Sequence, residues 1–215
     1  MENGSPRYAF VGYSTVYEYY AYPENIRPRI AQMVVLPPFQ RKGIGAQLLD
    51  TIYKHYCANK LVIDMTVEDP SENFQRLRDF VDCKNCLQLE CFKGKKILDG
   101  LTNIMTDEAH SKLRINKKQI RRVYEILRLK ATDIYNEAQY KKYRLFVKNR
   151  LNAPYRKEDD HLKRLKKLLH PDEFRAATMT ITSKEQRMEN LESQYMEAEN
   201  EYNVIIKRLQ MANIS

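Results

Sequence analysis

The sequence has no tryptophan and no apolar run near the roughly 18 to 20 residues that a bilayer span requires. A transmembrane helix is therefore excluded as a reading. Met1 to Pro6 are polar and lack the apolar core of a signal peptide, so an intracellular protein is expected. Cysteines are few: Cys57, Cys83, Cys86 and Cys91. Without a secretory signal they do not form an expected disulfide framework. Cys83-x-x-Cys86 with Cys91 lacks a fourth ligand at a zinc spacing, and none of His55, His110, His161 and His170 follows closely. Free thiols and no metal are expected. The nucleotide loops GxxxxGK[ST] and GxGxxG are also absent.

What is present is the composition of a folded globular chain: 215 residues, 43% hydrophobic, 30% charged, with 15 tyrosines. This length suits one good core and a smaller second unit. The net charge of +9 is local. Residues 1 to 100 carry 13 Lys and Arg against 12 Asp and Glu, whereas Lys112 to His170 carry 19 against 6. Such a stretch suits nucleic acid or an acidic protein. Lys117-Lys118 with Arg121-Arg122, or Lys163-Arg164 with Lys166-Lys167, also fit import signals. The basic residues interleave with a helical apolar period, which favours a solvated helix face over direct nucleic-acid binding.

The segment Gln40-Arg41-Lys42-Gly43-Ile44-Gly45-Ala46 lies between an apolar run, Met33 to Leu36, and a helix-patterned segment, Gln47 to Tyr56. Two glycines allow close backbone approach, and the helix start offers unpaired N–H groups and a positive dipole end to an anion. Arg41 and Lys42 add charge, so the loop reads as a phosphate cradle. A second strand, Leu61 to Val67, follows and ends at Glu68-Asp69-Pro70-Ser71. Strand, helix, strand is the crossover that sets two strands parallel, which puts these carboxylates at the same sheet edge as the loop.

Q-x-x-G-x-G-A after a strand resembles the pyrophosphate loop of acyl-coenzyme A-dependent N-acetyltransferases. QMVVLPPFQRKGIGAQLL, DMTVEDPS and the LRDF run Leu77 to Phe80 resemble, more narrowly, the catalytic subunit of type B histone acetyltransferases. Val11-Gly12-Tyr13, Thr15-Val16-Tyr17, Tyr19-Tyr20, the run from Arg121 to Leu129, and Gln139-Tyr140 with Tyr143-Arg144 extend the likeness from about Tyr8 to about Leu209. The resemblance implies an α/β acetyltransferase core at 1–110, lacking the N-terminal part of the family, followed by an all-helical unit at 111–215. It implies acetyl-coenzyme A as co-substrate, a lysine of the histone H-four tail as acceptor, and a WD-repeat histone chaperone as partner. Nucleus and cytoplasm are the expected locations, and no membrane is involved.

Acetyl transfer needs a neutral amine, yet free lysine has a pKa of about 10.4, so the site needs a proton acceptor. Glu68 or Asp69 at the strand end can serve if an apolar setting raises its pKa. The resemblance favours Glu68, with Asp69 assisting. It also assigns Met33, Val34 and Val35 to cofactor binding through a splayed strand edge. Gln40, Arg41, Lys42, Gly43, Ile44, Gly45 and Ala46 go to the pyrophosphate, and Ser71 lies nearby. Tyr17 and Tyr19 share one sheet face with Glu18 on the other, and the resemblance lays this strand along the histone peptide.

Tyr8 to Tyr22 and Arg29 to Leu36 read as a strand hairpin. Ile120, Val123, Tyr124 and Leu127 form one helical stripe, and Leu162, Leu165, Leu168 and Leu169 another, expected to pack together. Asn116 caps the first of these helices, Pro154 breaks the chain after Leu151, and Pro171 opens a new segment. Thr182 with Glu185 makes a capping box for a last helix whose seam runs Met188, Leu191, Tyr195, Ala198, Tyr202, Ile205 and Leu209. Intramolecular packing of this seam is expected. Two other functions remain open: an inert scaffold that binds histone, partner or nucleic acid, and an acetyltransferase of another amine.

Overall fold

A computed structural model describes residues 8–170, 173–174 and 183–212. Pro171 and Thr182 lie outside the described residues. The hairpin forms as β1 (Gly12–Ala21) and β2 (Asn25–Val35), rich in tyrosine and β-branched residues. They pair antiparallel, Gly12 opposite Val35 through Ala21 opposite Asn25, with a bulge where Thr15 meets Gln32 and Val16 meets Ile30. Ala31 is the extra residue on β2. Helix α1 (Ile44–Cys57) carries the chain to β3 (Thr66–Val67), which pairs parallel with Arg29 and Ile30. The sheet order is β1-β2-β3.

The expected strand Leu61 to Val67 is thus much shorter in its ladder. Val62 touches β2 as an isolated bridge to Ile26, then Asp64 is drawn to Arg27 at 2.5 Å and the Met65 N–H turns to the Arg114 carbonyl at 2.8 Å. After β3 come α2 (Glu72–Cys86), α3 (Asn103–Leu113), α4 (Lys117–Ala131), α5 (Glu137–Leu151), α6 (Ala153–Leu168) and α7 (Lys184–Met211).

The chain forms two compact units. One holds the residues up to Leu127 and those from Ile205 onward; the other is Arg128–Val204. The division expected after residue 110 falls inside α3. Met105, Ala109, Ile115 and the α4 stripe of Ile120, Val123, Tyr124 and Leu127 are all buried, so these segments belong to the first unit's core. The centre of that unit packs Ile30, Leu49, Tyr53, Val62, Met65 and Val81 between sheet and helices. Burial of such side chains stabilises by about 1.5–3 kcal/mol each.

In the second unit, the Glu199 carboxylate on α7 accepts from Tyr140 (2.7 Å) and Tyr195 (2.8 Å), and Lys148 on α5 pairs with Glu192. Arg187 at the start of α7 holds both oxygens of Asp159 on α6, at 3.0 and 2.9 Å. Helix α5 ends at Leu151 and α6 starts with Pro154 in its first turn, as expected. No residue of α6 is fully buried and Leu168 is exposed, so its leucine stripe does not form a core as the α4 stripe does. The capping box at α7 is built by Ser183 and Gln186, whose side chains each accept from the other's N–H (3.2 and 3.3 Å). On the seam of α7, Tyr195, Tyr202, Ile205 and Leu209 are buried while Met188 is exposed.

Candidate active site at the carboxyl edge of the sheet

Because β2 and β3 are parallel, the segments following both emerge at one edge. From β2 the chain passes through a 3-10 turn, Pro37–Phe39, into the loop that opens α1. The Gln40 side chain donates to the Val35 carbonyl at 2.8 Å. It fastens the loop back onto its strand, a role distinct from direct ligand contact. Arg41 and Gly43 both adopt left-handed backbone, at φ 58 and 82. Gly43 is the N-cap of α1, and no side chain caps it. The first N–H groups of α1, those of Ile44, Gly45 and Ala46, therefore remain available at the positive end of the helix dipole. Arg41 and Lys42 are exposed beside them. A Cβ on Gly43 would meet nothing within 4 Å, so glycine is needed there for its φ and the space above it is open. Gly45 has another reason: a Cβ there would lie 3.3 Å from Leu77 of α2.

β2 and β3 separate beyond Ile30 and Val67. The β3-facing edge of β2 from Ala31 to Val35 thus has no ladder partner among the described residues, which leaves the Met33 backbone groups and the Val35 N–H turned to the opening; the Val34 backbone groups face Tyr13 of β1 instead, so Val34 does not serve the edge as expected. On the other side of this opening, the Glu68 N–H donates to the Ile30 carbonyl at 3.0 Å, which fixes Glu68 at the end of β3. Asp69 follows at φ 33, so strand alternation stops before it. Glu68 and Asp69 are both exposed; the apolar enclosure expected around a base is not built by the described residues.

Among the described residues, an uncapped helix start at a glycine turn, a strand edge without a ladder partner and a carboxylate lie at one sheet edge. The sequence model described as Acetyltransferase (GNAT) family matches residues 2–78, and that described as Histone acetyltransferase type B catalytic subunit, C-terminal, matches residues 78–129. The rat and human proteins named histone acetyltransferase type B catalytic subunit are each 44% identical over 208 residues, covering 97% of this chain and 49% of their own. A protein of the same name from Dictyostelium discoideum is 35% identical over 171 residues, 76% of this chain and 35% of its own.

The chain belongs to this family.

It spans about half the length of the rat and human relatives. Its fold is the α/β N-acetyltransferase fold with helices following, as the resemblance implied.

Not every residue assigned from sequence sits at the carboxyl edge. Tyr17 pairs with Arg29, level with Thr66, but Tyr19 pairs with Arg27, further from the edge, and its ring lies under the Arg29 guanidinium at 4.8 Å. Both tyrosines are exposed. Val16 packs into the core, so the even-numbered residues of β1 face α1. Glu18 accordingly meets Tyr56 of α1, whose phenol is pushed up by burial and then by that carboxylate. Ser71 caps α2: its hydroxyl accepts from the Phe74 N–H at 3.3 Å.

Sequence reasoning missed Tyr13, which lies opposite Val34 nearer the edge, exposed and stacked 6.4 Å from Phe10. The alternation Tyr13, Tyr17, Tyr19 was the available signal. Part of the basic stretch points inward: Arg122 pairs with the buried Asp79 at 2.8 Å, and Arg128 lies over Phe146. Cys83 and Cys86 are buried free thiols, and burial pushes both well above the ordinary thiol range.

Gly43→Val is expected to weaken coenzyme A binding at least about tenfold, since a β-branched residue in left-handed backbone costs about 1–3 kcal/mol and reshapes the turn. Isothermal calorimetry checks it, with circular dichroism unchanged. Equal affinity in the variant would remove the loop from the site.

Proposed function

We propose that this chain carries an acetyl-coenzyme A-dependent lysine N-acetyltransferase site of the type B histone acetyltransferases, acting on the histone H-four tail. The observation that carries the reading is the convergence of the uncapped α1 N-terminus and Glu68 at one edge of parallel β2 and β3. Open space over Gly43, available N–H groups and two adjacent cations fit the pyrophosphate of the coenzyme. Acetyl-coenzyme A supplies an activated acyl group when bound.

Gln40 holds the loop, Gly43 turns it, and the α1 N–H groups with Arg41 and Lys42 bind the anion. The Met33 backbone groups and the Val35 N–H face the open edge and suit the extended pantetheine arm, whereas the Val34 backbone groups face β1 and Gln40 occupies the Val35 carbonyl. Glu68 takes a proton from the lysine ammonium, directly or through water, and Asp69 keeps the approach acidic. The exposed tyrosine face of β1, with Tyr13 and Tyr17 nearest the edge, flanks the route of a basic peptide, and cation–π contact with lysine favours such a surface. A WD-repeat histone chaperone as partner, and residence in nucleus and cytoplasm, follow from family membership as parts of the same proposal. An inert nucleic-acid-binding scaffold has less support, because Arg122 serves the protein's own interior.

The test is acetyl transfer from radiolabelled acetyl-coenzyme A to a histone H-four tail peptide, beside the same peptide with its lysines replaced by arginine. Transfer to the first alone is expected. Transfer to neither, or to both equally, would overturn the reading.

A further inference from the structure

Behind the strand end lies a buried polar cluster that the proposed reaction does not use directly. Met65, one residue before β3, is 1% exposed. Its carbonyl accepts from Arg78 Nη2 of α2 at 3.2 Å and from Asn116 Nδ2 at 3.3 Å. Arg78 is itself buried; its Nε donates to the Tyr53 hydroxyl of α1 at 3.2 Å, and it pairs with Asp82 at 3.4 Å. Asp82 is fully buried, and its Oδ2 accepts from Gln119 Nε2 of α4 at 2.9 Å. Its Oδ1 has no hydrogen-bond partner among the described residues. The Asp82 carboxylate thus anchors a guanidinium that reaches the backbone three residues before Glu68.

We propose that Arg78 and Asp82 are positioning residues for the strand end bearing Glu68: Arg78 clamps the Met65 carbonyl, Asp82 holds Arg78 in place, and protonation of Asp82 slackens the clamp. This rests on the acetyltransferase reading only for its consequence in catalysis. Burial pushes the Asp82 carboxyl up to about 6, opposed by Arg78 and the Tyr53 hydroxyl. From α1, Tyr53 and Cys57 face this cluster; from α2, Arg78, Asp79, Cys83 and Cys86 do so. Gln119 and Arg122 face it from α4, with Arg114 just before that helix. His110 of α3 has its Nδ1 3.1 Å from the Ile115 carbonyl.

The folded-state value lies above the ordinary 3.8, so the folded protein binds this proton more tightly than the unfolded chain. Stability therefore falls as pH rises from about 4 to about 6, and Asp82→Asn lacks that slope. The clamp itself is firm above about pH 6 and slack below it.

The deciding experiment follows the amide resonances of Thr66, Val67 and Glu68 in the nitrogen-15-labelled full chain from pH 5 to 8. A shared step near pH 6 is expected, absent in Asp82→Asn. Tyr53→Phe, which keeps every charge, should move the midpoint upward and carries the test if Asp82→Asn does not fold. A step that survives in Asp82→Asn belongs to another group and overturns the proposal, as does an unmoved midpoint in Tyr53→Phe. In acetyl transfer, Asp82→Asn should lower kcat at least about tenfold while KM for acetyl-coenzyme A stays within about twofold, the mark of a misplaced base. Unchanged kcat in folded variant counts against positioning. If the wild type shows the amide step but transfers no acetyl group, the acetyltransferase reading fails and the clamp stands.

Discussion

Glu68→Gln is expected to reduce acetyl transfer to a histone-tail peptide by about a hundredfold or more, while coenzyme A affinity changes less than about threefold. The magnitude is that of losing a positioned general base, which contributes about 10²–10⁴ in rate. The separation follows from the architecture. Glu68 ends β3, whereas the anion site belongs to the loop after β2 and to α1, and the Glu68 backbone bond to Ile30 survives the change. The substitution keeps the shape of the side chain and removes only its ability to accept a proton. Kinetics at saturating acetyl-coenzyme A, beside calorimetry on both proteins, make the check. A fall in affinity matching the fall in rate would place Glu68 in the cofactor site and leave the base unassigned.

The second large effect concerns stability. Asp79→Ala should destabilise the protein by about 3 kcal/mol, because removing one partner of a buried ion pair strands the other and costs about 3–5 kcal/mol. Asp79 is 1% exposed and accepts from Gln75 (2.7 Å), Gln119 (2.9 Å) and Arg122 (2.8 Å), so three donors on α2 and α4 each lose one bond together. The Arg122 side chain keeps 26% exposure, which lets water relieve part of the loss and places the effect at the lower end. Urea denaturation read by circular dichroism measures it. A loss below about 1 kcal/mol would mean that water replaces Asp79 and that the network does not bind α2 to α4.

What could be read from the sequence was whatever depends on local pattern. The tyrosine-rich hairpin, the strand–loop–helix carrying Gly43, and the α4 stripe all express a period or a turn requirement visible within about fifteen residues. The family resemblance added the site's chemistry. The ladder of β3 is shorter than its pattern suggests because Leu61 to Val67 is apolar apart from Asp64 and Thr66, while Arg27 and Arg114, far off in sequence, draw Asp64 and Met65 out of register. The cap of α7 was placed one residue early, since Thr182-x-x-Glu185 and Ser183-x-x-Gln186 satisfy the same rule, and the second is built among the described residues.

Least legible was the polar cluster. Nothing local distinguishes Arg78, Asp79 and Asp82 from charges on a solvated helix, and Arg78 and Asp82 stand at the spacing of a surface pair. Their burial is decided by α1, by α4 and by the Met65 carbonyl, whose positions no local pattern encodes. The leucines of α6 failed in the opposite direction. An amphipathic period states which face is apolar, not whether anything covers it.

The most direct test of the central claim, that the loop after β2 and the start of α1 form an acyl-coenzyme A cradle, is calorimetric titration of this chain with acetyl-coenzyme A beside acetyl-pantetheine, which lacks the pyrophosphate. One acetyl-coenzyme A per chain, with acetyl-pantetheine binding at least about a hundredfold more weakly, is the predicted result. No binding of acetyl-coenzyme A, or equal affinity for the two, would contradict it.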